Sequence, residues 1–153
     1  MSLELKIVEL KLELPPAPSP GGIYRPALRV KDLLYVSGQV PMNPDGSLIK
    51  GRLGHDLSLE QGQHAARQAG LAMLSTMKNE LGSLDKIKRL VKTLGLVNCT
   101  PDFQQQPAVI NGFSQLMVDL LGPESGKGAR SAVGAILPLN IAVEIEAIFE
   151  IED

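Results

Sequence analysis

The chain has 153 residues, 44% hydrophobic and 21% charged, which suits a single folded domain with one core. A net charge of −2, with three Phe, two Tyr and no Trp, offers neither the basic field nor the stacking platforms that nucleic-acid binding draws on. The single Cys99 excludes an intrachain disulfide, no apolar run reaches the length of a membrane span, and the N-terminus lacks the basic and apolar regions of a signal peptide, so a cytoplasmic protein is expected.

The opening "LELKIVELKLEL" carries Leu3, Ile7, Leu10 and Leu14 on one helical face and is read as a helix that must dock on something larger. "PPAPSPGG" (15–22) continues neither helix nor strand and reads as an extended connector. Two apolar runs flank Lys31-Asp32 as a hairpin, with Pro26 at the start of its first strand. Asp45-Gly46 marks the tip of the following turn.

From Ser58 to Leu81 the sequence predicts a helix, opened by a Ser58/Gln61 capping box and stopped by Gly82. Leu59, Ala66, Ala69, Met73 and Met77 form its buried stripe, and its many small residues suggest a helix lying flat on a sheet. A long strand follows at 87–98, then a second helix at 107–122 between Pro107 and Gly122. Two strands end the chain, "ARSAVGAI" and "IAVEIEAIFEIE". The result is two helices against one mixed sheet, an α+β domain. No second domain is expected: residues 1–20 form an extension and 21–153 the core.

Within that frame a few residues could carry chemistry. Arg130 stands alone among Gly, Ala, Ser and Val; a guanidinium is not neutralised, so it points at solvent or meets an anion. On the last strand Glu144 and Glu146 share one face, and if the strand of Arg130 lay beside it, arginine could grip a carboxylate while a glutamate oriented water. From spacing alone, a row of glutamates on a solvated sheet face is the favoured reading. "GPESGKGAR" has the wrong spacing for a phosphate loop and reads as a connector leading to Arg130. His55 and His64 share no helical face, and no Cys/His cluster accompanies them. Tyr24 borders a strand start, and Asn111 lies early in the second helix.

Taken together, the segments resemble the RidA/YjgF family, formerly the L-PSP endoribonuclease or translation-inhibitor family. The resemblance runs through "GGIYRPALRVKDLLYVSGQVPMNPDG", "VKTLGLVNCTPDF" and "ARSAVGAILPLNIAVEIEAI", spanning about residues 20–151. It implies a chorismate-mutase-like α+β fold with two helices on one face of a mixed sheet. It further implies homotrimers with a central β-barrel and clefts between subunits, and no metal or organic cofactor. The implied activity is hydrolysis of enamines and imines such as 2-aminoacrylate to a keto acid and ammonia.

By the same resemblance, Arg130 matches the arginine that grips the substrate carboxylate, assisted by the Ala132 amide, and Glu144 the glutamate that positions water. Tyr24 matches a cleft tyrosine from the neighbouring subunit, Asn111 an asparagine near the site, and Ser37 and Gly38 the loop behind it. The chain departs from the pattern at Ala132, where many members carry Cys, and in extra residues before Asn111 and before Tyr24. Arg25 is a candidate second cation, and Glu146 has either a site role or a structural one. The alternative functions are a non-catalytic trimer that binds small carboxylates and, third, an endoribonuclease.

Overall fold

The computed structural model describes residues 2–153, so Met1 of the predicted extension lies outside the described residues. Helix α1 (Leu3–Glu9) is capped by the Ser2 hydroxyl, which accepts from the Leu5 amide. It buries Leu3 and Ile7, while Leu10 stays exposed beyond its end. Strands β1 (Ala27–Val30) and β2 (Leu33–Gln39) form the hairpin about Lys31-Asp32. Helix α2 (Leu59–Leu81) leads through a short 3₁₀ turn (Leu84–Lys86) into β3 (Ile87–Asn98). Helix α3 (Gln106–Ser125), β4 (Ala129–Ala135) and β5 (Val143–Ile151) complete the chain.

The five strands form one sheet in the order β1-β2-β5-β3-β4, with β3 and β4 parallel and every other pair antiparallel. The architecture is mixed α+β, as expected, with three helices rather than two once α1 is counted. The alternation of β5 holds: Val143, Ile145, Ala147, Phe149 and Ile151 are buried beneath the helices, and Glu144, Glu146, Ile148 and Glu150 take the other face. Ala142, just before the strand begins, is fully buried.

The capping box forms as predicted, Gln61 bonding back to the Ser58 amide at 2.8 Å. Ala66, Ala69, Met73 and Met77 are fully buried, and Leu59 is half-buried. The small residues of α2 serve its contact with α3 as much as the sheet: a Cβ on Gly112 of α3 would land on the Gln63 carbonyl of α2. The main run of α3 ends at Gly122, as the sequence predicts: that glycine is non-helical at φ 87°, and a short separate turn, Pro123–Ser125, follows the kink.

Helix α1 packs against α3 and the 3₁₀ turn. Glu4 accepts from the Leu84 amide and pairs with Lys78, both at 3.0 Å, and Ser2 donates to Asp85 at 2.8 Å. The sheet face away from the helices has no covering layer, and it presents Leu28, Val30, Tyr35 and Val133, each between 42% and 48% exposed. Among the described residues no helix is long and apolar enough to cross a membrane.

Candidate functional site

Parallel pairing with β3 sets Arg130 beside Thr93, whose side chain is buried on the helix face. The guanidinium therefore leaves the sheet toward α3, where Nη1 donates to Asn111 Oδ1 (2.8 Å) and Ser114 Oγ (3.1 Å). Both acceptors are neutral, and among the described residues no carboxylate pairs with Arg130. Its positive charge is oriented without being neutralised, and it stands exposed at the edge strand of the sheet. Ala132 lies two residues on, beside Gly95, its methyl against the core. Ser114 was absent from the sequence reading; its only signal is a position one helical turn after Asn111.

Glu144 lies elsewhere. It pairs with Leu96 of β3 on the uncovered face of the sheet. The expectation that the strands of Arg130 and Glu144 would be neighbours is overturned: β3 runs between them, and the two side chains leave opposite faces. No motion of side chains within one copy joins them, because the sheet itself stands between.

Around Glu144 a cavity of about 680 Å³ gathers Tyr24, Ser37, Gly38 and Glu146 as well. Ser37 and Gly38 are not a loop behind the site but a bulge in β2, where the pairing with β5 slips between Val36 and Gln39. Buried Gln39 fixes that bulge, its Nε2 donating to the Ser37 carbonyl (3.0 Å) and its Oε1 accepting from Thr76 of α2 (2.9 Å). Gly38 then packs so close to Glu144 that an added Cβ would sit 2.7 Å from Oε2. Gly38→Ala is accordingly expected to turn the Glu144 carboxylate out of place. The fold should survive, because a flexible side chain gives way, so Tm should change by only about 3 °C or less, which thermal unfolding checks.

Glu144 is half-buried, and its carboxyl is pushed above the ordinary range, first by burial and then by the charge of Glu146. Ionising it costs more in the fold than in the unfolded chain. Its contribution to stability is thus present below the unfolded carboxylate pKa and lost as pH rises through the raised folded value. With no cation beside Glu144, as in a single copy, Glu144→Gln is expected to raise Tm at pH 7 and to leave it unchanged at about pH 3, where the carboxyl is protonated in folded and unfolded chains alike. Thermal melts of the two proteins at both pH values decide it.

Of the remaining candidates, Arg25 offers its backbone carbonyl to the Ser37 hydroxyl at 2.6 Å. His55 lies at the surface 3.5 Å from Asp56. His64 lines a groove between α2 and α3 together with Asn111 and Ser114, the two acceptors that hold Arg130. Cys99 is half-buried, with Gln106 Nε2 3.6 Å from its sulfur.

The geometry has parallels in known proteins. A family model described as "YjgF/chorismate_mutase-like, putative endoribonuclease" matches residues 4–150. Protein TCP17 of Trypanosoma cruzi is 41% identical over 145 residues, covering 94% of this chain and 91% of that one. The crystal structure of a protein of unknown function from Agrobacterium tumefaciens superposes with a TM-score of 0.88 at 40% identity, covering 98% and 94%. A RidA crystal structure from an Antarctic Psychrobacter matches more distantly, with a TM-score of 0.59 at 25% identity, covering 88% and 94%. With a family model spanning nearly its whole length and relatives this similar, the chain belongs to the RidA/YjgF family.

Proposed function

We propose that the protein hydrolyses reactive enamines and imines, such as 2-aminoacrylate, to a keto acid and ammonia. One observation carries this reading: an unneutralised Arg130 at the sheet edge and a half-buried Glu144 in a cavity on the opposite face, complementary in chemistry but separated by the sheet. A second copy of the chain supplies the missing half if the edge of β4 in one copy meets the Glu144 cavity of its neighbour. Repeated around a threefold axis, that contact gives three equivalent clefts and a closed homotrimer. The uncovered apolar face bearing Leu28, Val30, Tyr35 and Val133 would be buried as the three sheets close into a central barrel.

In such a cleft Arg130 holds the substrate carboxylate by paired hydrogen bonds while Asn111 and Ser114 fix the guanidinium. The Ser37–Gly38 bulge and Tyr24 line the cavity on the Glu144 side, and the Ala132 amide assists Arg130 from β4. After 2-aminoacrylate tautomerises to the protonated imine, Glu144 takes a proton from water as the water oxygen bonds to the imine carbon and the C=N pair moves to nitrogen. Glu144 then gives that proton to the amine nitrogen of the carbinolamine, and ammonia leaves as the hydroxyl proton returns to the carboxylate, giving pyruvate. Anchoring and water placement account for the catalysis, since a protonated imine is already electrophilic.

The test generates 2-aminoacrylate in situ with a pyridoxal-phosphate dehydratase and follows pyruvate release with and without the protein. Faster release supports the deaminase. Saturable pyruvate binding with no acceleration replaces it by a carboxylate-binding trimer. An endoribonuclease finds less support, because the groove that His64 shares with Asn111 and Ser114 holds no second histidine, His55 lies apart beside Asp56, and the net charge is negative.

A further inference from the structure

The Glu144 cavity has a wall that belongs to neither helix nor sheet. Pro18, Ser19, Pro20 and Gly21, from the connector after α1, line it opposite Met42 and Leu48. We propose that this connector, residues 15–22, is a specificity-determining strap that selects substrates with a bulky apolar side chain. The proposal rests on the imine-hydrolase reading for the identity of the reacting group, and on the cavity for the rest.

The strap is held at both ends. The buried Ser75 hydroxyl of α2 donates to the Pro15 carbonyl at 2.6 Å, after Leu12 and Leu14 have packed on the core. At the far end the Gly21 amide donates to the Tyr24 phenol oxygen at 3.0 Å, tying the strap to a residue that lines the same cavity. Between these anchors Pro16, Pro18 and Pro20 restrict φ and leave no amide hydrogen to solvate. The wall is therefore stiff and apolar before any ligand arrives, so little ordering entropy is lost on binding.

The cavity also has more room than a three-carbon acid uses. At about 680 Å³ it lies in the range that encloses drug-sized molecules, and its charged groups, Glu144 and Glu146, both come from β5. With the carboxylate drawn to a neighbour's Arg130 and C2 placed over Glu144, the side chain of the substrate faces the strap, Met42 and Leu48. Each methylene removed from water against these surfaces favours the longer acid.

The experiment uses pyruvate and 4-methyl-2-oxopentanoate, the stable products of a small and a large imine, titrated calorimetrically against the full-length protein. The native chain is expected to bind the larger acid at least about tenfold more tightly. Ser75→Ala, which frees one anchor, and the double variant Pro18→Gly/Pro20→Gly, which softens the wall, should each cut that preference at least about threefold while the pyruvate Kd stays within about twofold. Ser75→Ala removes only one hydrogen bond and decides the matter if the double variant does not fold.

Equal affinity of the native chain for both acids overturns the proposal, as does a preference that both variants keep. Hydrolysis of the two corresponding imines is measured alongside. Strap-dependent binding without hydrolysis leaves the strap standing and removes the deaminase. Hydrolysis with a selectivity the variants do not change does the reverse, and no binding of either acid removes both.

Discussion

Arg130→Ala is expected to lower kcat/KM for the proposed imine hydrolysis on the order of 100- to 1000-fold, because it would remove the proposed carboxylate anchor that orients the reacting carbon. Arg130→Lys should fall between, keeping the charge and losing the two-pronged geometry. Glu144→Gln should be as severe, for the different reason that no base remains at the water. The informative result comes from mixing. Arg130 and Glu144 leave opposite faces of one sheet, so the two variants damage different halves of each cleft. If the two chains are unfolded and reassembled together, about a quarter of the clefts in random trimers combine an intact Arg130 with an intact Glu144. Recovery of about that fraction of native activity is expected, from two preparations that are each inactive. A site contained within one copy would recover nothing, and that outcome would remove the shared cleft.

Gly112→Ala is expected to be the most destabilising single-methyl addition among those considered. The new Cβ would meet the Gln63 carbonyl, which is backbone within a helix and cannot turn aside as a side chain does. Overpacking of this kind costs about 3 kcal/mol or more, and for a chain of this length that lowers Tm by roughly 6–12 °C. Gly21→Ala is the control: no atom lies within 4 Å of its added Cβ, so its Tm should stay within about 2 °C of native. Calorimetric or circular-dichroism melts of the three proteins separate the cases, and a Gly112→Ala melt that matches the native one would show that α2 and α3 can move apart without loss. Asn111 and Ser114 flank this glycine, so a forced separation of the helices would also move the two acceptors that aim Arg130.

The local elements were legible in the sequence because each has a local cause. Ser58 and Gln61 announce their cap three residues apart, and β5 writes its two faces as an alternation of Glu with Val, Ile, Ala and Phe. The Lys31-Asp32 hairpin follows from two short apolar runs with no room for anything but a turn. What spacing could not supply was strand order. β4 and β5 are consecutive in the chain, yet α3 carries β4 across to the outer side of β3, where it pairs in parallel at the edge. Arg130 thereby moves to the helix face and away from Glu144, and a site that reads as one cluster along the sequence becomes two halves in space. Gly122 was legible as a stop because its φ of 87° suits glycine; the short turn beyond it, opened by Pro123, was not. The cavity wall from Pro18 to Gly21 had no local signature either, because a proline-rich connector reads the same whether it crosses open solvent or a cavity.

The Gln39 side chain joins the Ser37 carbonyl to the Thr76 hydroxyl inside the core, so the bulge beneath Glu144 cannot open while α2 remains in place. The Ser37 amide, which donates to the Pro26 carbonyl beside that lock, is then expected to exchange with solvent more slowly than loop amides do. A wall held in this way works as a template: a ligand is sorted by its shape on contact, with no loop motion required on this side of the cavity.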